Sequence, residues 1–392
     1  MVCLCPCMRI PSHMKSRQLH QEGDEFLTAN ETTLSEQGIR FHQAKPVFNQ
    51  PAEIDQGLNL LPDLEERLHL ARRAQISIRS QHTKEYDVKD YAFNLVQLSS
   101  FVFSDLGFLR LISRTEGYFQ YRRLTSTEAL LAIFAKTLAS AKGTERGSSH
   151  PETCHIWPFS ANNNVDNFTN TQEVLSRSLG LLSPSLFSGL TQLLAPDTDE
   201  LGSSDKAWNM IALSPELQSY WSKAYFGLKW IGADNPTSND NDIATFKVEW
   251  HWLPRDAVGA LERRLGKLKR TNHCSLPEID LKSEKVVNLV CNALKEAWTP
   301  PSSTFPELAR TKYASSSRPV ETGHIISLRV KRSDLDKTEI LIKTQWLAVQ
   351  MAALSGAGEI ADELIRKPPR PMDGPPIPLF PSLRPREAAD EE

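Results

Sequence analysis

From Leu58 onward the apolar positions recur at helical spacing. Leu61, Leu64, Leu68 and Ala71 fall three or four residues apart with Glu65, Glu66 and Arg67 between them, which predicts an amphipathic helix. Tyr91, Leu95, Leu98, Val102 and Leu106 continue the pattern and predict a second helical stretch. A third begins at Thr125-Ser126-Thr127-Glu128, where the Thr125 hydroxyl can accept from a backbone N–H three residues on while Glu128 reaches back. Ala129 to Ala139 continue it. Residues 56–142 are therefore expected to form a helical region. Residues 1–55 show no sustained period and are expected to be disordered or loosely ordered. The small, polar run Gly143 to Ser149 reads as a boundary.

The period changes after that break. Helical stretches are predicted near Thr171 to Leu179 and Pro184 to Leu194. Ser214-Pro215 is a helix start, with serine at the cap and proline at the first helical position, where its missing N–H is harmless. Leu217, Trp221 and Ala224 would face the core of that helix, leaving Gln218 and Ser222 together on another face. Tyr225 to Trp230 and Ala244 to Trp252 read as strands; in the second, Ala244, Phe246, Val248, Trp250 and Trp252 alternate with Thr245, Lys247, Glu249 and His251. Residues 256–295 read as a basic helical segment and 300–320 as a linker. In the trailing region, 321–365, a strand is expected around Thr322 to Ile326. A helix over Leu341 to Leu354 would pack through Ile342, Trp346 and Val349. From residue 367 to 392 the chain holds eight prolines and ends in acids, which predicts an extended, disordered tail and a possible ligand for a proline-binding module. The expected class is α+β: a mainly helical chain with short antiparallel sheet.

Composition adds limits. With 40% apolar and 24% charged residues the chain has ordinary globular composition, and its net charge of −3 supplies no global field for nucleic acid. Such binding would need a local basic patch, and Arg263, Arg264, Lys267, Lys269 and Arg270 are the candidates; a solvated helix face is the competing reading. No run approaches the roughly 18 apolar residues of a membrane span. The start lacks a basic n-region and an apolar core, so no secretory signal is expected and an intracellular, cytoplasmic or nuclear location is. The six cysteines lack paired C-x-x-C spacing, which predicts reduced thiols and no structural zinc site. Cys3, Cys5 and Cys7 form a group open to acylation or a soft metal, with a disordered start as the competing reading.

Two strings carry the chemistry: Cys154-His155-Ile156-Trp157-Pro158-Phe159 and Trp208-Asn209-Met210-Ile211-Ala212-Leu213-Ser214-Pro215-Glu216-Leu217-Gln218. A histidine among apolar residues before a proline suits the end of a short strand, and the second string reads as a loop entering a helix. Their order resembles the HNH (ββα-metal) endonuclease-domain proteins of filamentous fungi, over about His150 to Pro254. Gly323 to Ala361 is similar, less specifically, to a trailing region of the same proteins.

The resemblance implies an HNH nuclease-like domain with a helical insert over residues 150–255. It implies His155 as general base, Asn209 as the asparagine that steadies the loop, and a hard divalent ion, Mg²⁺ or Mn²⁺, as Lewis acid. Gln218 falls where the family carries its last histidine, and Cys154 falls where better-known members carry an aspartate. A neutral amide and a thiol are poor ligands for a hard cation. Asp205 and Glu216 are nearby carboxylates, and residues 143–152 do not match the Cys-x-x-Thr-Gly-like strand of the family. Three readings remain open: a degenerate HNH-like module that keeps a nucleic-acid or protein-binding role, an active metal-dependent endonuclease, and a scaffold using the helical region and the tail.

Overall fold

The computed structural model describes residues 63–80, 89–112, 124, 127, 129–133, 152–158, 161, 164–175, 183–194, 204–234, 242–254, 256–270, 276–298 and 320–358. The expected loose N-terminus, the Thr125 capping box as a unit, the group Cys3, Cys5 and Cys7, nearly all of the linker and the proline-rich tail lie outside these residues. The described residues combine helices with three small antiparallel sheets, an α+β arrangement. Among them no helix is long and apolar enough to cross a membrane.

The expected first helix is α1, Leu64–Ser80. The second expected stretch divides into a short strand β1, Phe93–Asn94, and two helices, α2, Leu95–Phe103, and α3, Leu106–Ile112. The reason is local: the Asn94 side chain accepts from the Gln97 N–H at 2.9 Å and Gln97 Oε1 accepts from the Asn94 N–H at 3.2 Å, a reciprocal cap that starts the helix there. Buried Arg67 on α1 donates to the carbonyls of Phe101 and Ser104, placing a cation at the C-terminal end of α2.

β2, Glu152–His155, precedes α4, Val165–Val174, and α5, Pro184–Leu194. A 3-10 turn, Ala207–Asn209, leads into β3, Met210–Leu213, and α6, Pro215–Ser222. Next come β4, Phe226–Ala233, and β5, Ile243–Trp252. The region expected as one basic helical segment is more varied: helix α7, Ala257–Leu265, strands β6, Lys269–Arg270, and β7, Pro277–Ile279, then helix α8, Glu284–Trp298. Gly266, at φ 81°, ends α7 in a conformation that favours glycine, and the chain leaves as a strand. β8, Ile325–Lys331, and helix α9, Leu335–Ser355, complete the order.

The sheets order as β1-β7-β6, β2-β3 and β4-β5-β8. In β5 the expected alternation holds for Ala244, Phe246, Val248 and Trp250, which are buried, until His251 is buried as well. Two apolar clusters form the core. One joins α1, α2, α7 and α8 with Val349, Ala353 and Leu354 of α9. The other joins β2 and the residues just after it, α5, α6, β4 and β5 with Leu341, Ile342, Ala348 and Met351 of the same helix. The helical region and the segment after residue 256 therefore share one core. α9 approaches β4 closely enough that a Cβ on Gly227 would lie 2.7 Å from the Trp346 ring and 2.8 Å from Val349.

His251 is fully enclosed. Its ring centroid lies 5.1 Å from that of Trp346, and its Nε2 lies 3.2 Å from Glu249 Oε2 without hydrogen-bond alignment. Burial pushes its pKa below the ordinary histidine value, with the Glu249 carboxylate opposing and Lys229 adding to the depression.

Gly227→Ala should lower stability by about 1–3 kcal/mol through overpacking, read by urea unfolding. Because the unfolded chain binds the His251 proton at higher pH than the folded chain, stability should fall as pH drops below about 6.5. Urea unfolding at pH 7.5 and pH 5 should show a smaller loss for His251→Gln than for the unmodified chain; an equal loss would remove His251 as a source of acid sensitivity.

Candidate functional site

β2 and β3 are brief, four residues each, and pair antiparallel, with Glu152 opposite Leu213, Thr153 opposite Ala212, Cys154 opposite Ile211 and His155 opposite Met210. His155 is thus the last residue of its strand. Ser214 follows β3 directly and its hydroxyl accepts from the Leu217 N–H at 3.2 Å, so the second strand passes into α6 with no intervening loop. Two strands and a helix therefore enclose the residues named by the two sequence strings.

Asn209 holds the end of this strand pair from which the long connection departs. It is fully buried. Its Oδ1 accepts from the Trp157 N–H at 2.7 Å, its Nδ2 donates to the carbonyls of Trp157 and Ser204 at 2.9 Å each, and its backbone oxygen accepts from the Ile156 N–H at 2.8 Å. One side chain thus satisfies backbone groups on both sides of the site, where a buried unpaired amide would be costly.

His155 is a quarter exposed, and its Nε2 lies 3.0 Å from Asp205 Oδ1. A carboxylate on one ring nitrogen restrains the orientation of an imidazole, a group whose chemistry includes proton transfer. Asp205 is one residue beyond Ser204, whose carbonyl is held by Asn209, so the same clamp carries both partners. Glu216, the other nearby carboxylate, accepts from the Tyr220 hydroxyl at 2.9 Å within α6.

The two doubtful ligands of the sequence reading sit differently. Alternation along β2 turns Cys154 away from His155, into the apolar cluster with Ile156, Trp157 and Trp208, where its side chain is buried outside any disulfide. Gln218, expected with Ser222 on a face other than the core face, is buried at 8% exposure beside Trp221, on a helix that packs against β2, β3 and β4 alike. Ser222 remains outside and donates to the Ser219 carbonyl. Among the described residues no three His, Cys, Asp or Glu side chains gather closely enough to hold a metal ion. A hard cation prefers several oxygen ligands. His155 and Asp205 with a neutral glutamine and an inward thiol do not fit it.

The basic residues lie elsewhere, on and after α7. Arg263 pairs with Asp256 at 2.7 Å, Arg264 with Glu296 at 2.7 Å, and Arg270 stands 3.7 Å from Glu262. Arg264 and Arg263 hold the Glu296 carboxyl below the usual carboxylate range. Lys267 and Lys269 are exposed. Their field is reduced by the acids of α7 and α8, which a sequence count of Lys and Arg does not register.

Two residues of α9 also reach the site. The Thr338 hydroxyl is shared between two carbonyls, that of Trp208 at 3.2 Å and that of Asp334, one turn back, at 3.1 Å. With its amide oriented to satisfy both neighbours, Gln345 donates to the Ile156 carbonyl at 3.2 Å and accepts from the Trp221 Nε1–H at 2.9 Å. In the sequence Gln345 is a polar residue beside the apolar stretch that follows it, whereas Thr338 stands between Lys337 and Glu339 and carries no such signal.

Asn209→Ala should unpair the Trp157 N–H and two carbonyls at once and cost about 3 kcal/mol by urea unfolding. A cost below about 0.5 kcal/mol would show that water or rearrangement replaces the clamp. No family model matches this chain, and neither the curated proteins nor the solved structures include one that matches it.

Proposed function

We propose that residues 150–255 are an HNH-like ββα module that has lost its metal site and keeps a nucleic-acid-binding role without phosphodiester turnover. One observation carries this reading. The hairpin, the asparagine clamp and the His155–Asp205 pair occur together in the order ββα, while the helix position that would complete a cation site is a buried, neutral Gln218. The scaffold for presenting an imidazole to a phosphodiester is present. Among the described residues, oxygen ligands for a cation that would neutralise a crowded phosphate do not gather.

A second reading has its own support. His155 is accessible and already oriented by a carboxylate, so it is equipped to act as general base. In that reading the protein is a divalent-metal-dependent endonuclease, a hydrolase, and the cation would be brought with the nucleic acid.

A single set of measurements separates the two. Calorimetric titration of the full chain with Mg²⁺ and Mn²⁺ should show no binding heat, and Gln218→His should restore some. Fluorescence anisotropy with a DNA duplex and an RNA hairpin should give salt-dependent binding, with a Kd on the order of 10⁻⁵ M as for non-specific contacts. Supercoiled plasmid should remain intact. Metal-dependent nicking that disappears in His155→Ala would establish the nuclease reading instead, and absence of nucleic-acid binding at low salt would overturn the binding role.

A further inference from the structure

We propose that Gln345 and Thr338 of α9 are positioning residues that set the geometry of the His155 hairpin. The inference rests on reading that hairpin as the functional site. Both side chains are buried, at 2% and 4% exposure. They are two turns apart and therefore lie on one helix face.

What they hold is specific. Ile156, whose carbonyl accepts from Gln345, is the residue after His155; Trp208, whose carbonyl accepts from Thr338, is the residue before Asn209. These two positions lie just outside the β2–β3 ladder, at the end where His155 pairs with Met210. The four-residue ladder ends there; beyond it Trp208 and Asn209 belong to the 3-10 turn, and Ile156 and Trp157 are bonded to Asn209.

Gln345 reaches a second element at the same time. Its oxygen accepts from Trp221 Nε1–H, so one amide ties α9 to the residue after β2 and to α6. From Ile156 the contacts run on through its N–H to Asn209, and from Asn209 to Trp157 and Ser204, next to Asp205. At the other end of the helix Lys337 Nζ stands 5.8 Å from the centroid of the Trp208 ring. An apolar side chain of similar shape would fill the same volume. It would leave the Ile156 carbonyl and the Trp221 indole N–H without these partners.

The test compares hydrogen exchange in the full chain for Gln345→Met, Thr338→Val and the control Lys343→Ala, which removes only an exposed ion pair with Glu339. Amides of residues 154–157 and 209–211 should exchange about tenfold faster in the first two variants, while those of β4 and β5 keep their native rates. The His155 imidazole ¹H–¹³C cross-peak, assigned by its loss in His155→Ala, should move in both variants and stay fixed in the control. Native hairpin rates, or equal acceleration of every amide, would overturn the proposal. If Gln345→Met does not fold, Thr338→Val decides by the same two outcomes. None of these readouts depends on nucleic acid. A loosened hairpin in a protein that binds no nucleic acid would therefore uphold the positioning role while removing the functional reading.

Discussion

Helix α9 is buried on nearly every side over its last four turns. Leu341, Ile342, Ala348 and Met351 enter one apolar cluster, and Val349, Ala353 and Leu354 enter the other. A helix in that position has no solvated stripe to receive its polar groups, so each must find a partner in the protein. Thr344 and Ser355 return their hydroxyls to carbonyls one turn back, at 2.7 Å each, Gln345 reaches outward to other elements, and Thr338 does both. Close approach to β4 requires a residue without a side chain at Gly227. The helix joins the two halves of the core, and the same burial obliges it to bond with the hairpin that carries His155.

That hairpin is small for the task. Two four-residue strands supply few ladder bonds, and an isolated pair of strands is marginal in water. Its shape depends on side chains instead: Asn209 across the end where the connection departs, the Ser214 cap at the entry to α6, and the contacts from α9. The His155–Asp205 pair is held by this frame. Its chemistry is therefore linked to packing some distance away.

The two histidines of greatest interest contrast in physical terms. His155 is partly solvated and stands beside the Asp205 carboxylate. His251 is enclosed against Trp346, and burial holds it neutral although Glu249 is near. Its place on the nominally polar face of β5 shows how far the covering helix changes the meaning of strand alternation. The basic residues of α7 show a comparable effect for charge, since Glu296 on a separate helix stands between Arg263 and Arg264.

Local chemistry made much of the order of elements legible in the chain itself. The Ser214-Pro215 start, the alternation of β5, the strand end at His155 and the apolar run of α9 are all set by contacts within a few residues. The division at Asn94 was also written locally, in a cap that helical periodicity alone conceals. The candidate residues His155 and Asn209 could be named from their strings. Their partners were decided only by the tertiary structure: the clamp on Trp157, the approach of Asp205, the inward turn of Cys154 and the burial of Gln218 and His251. Each of these depends on which distant element covers a given face, and periodicity records the face without recording what packs against it.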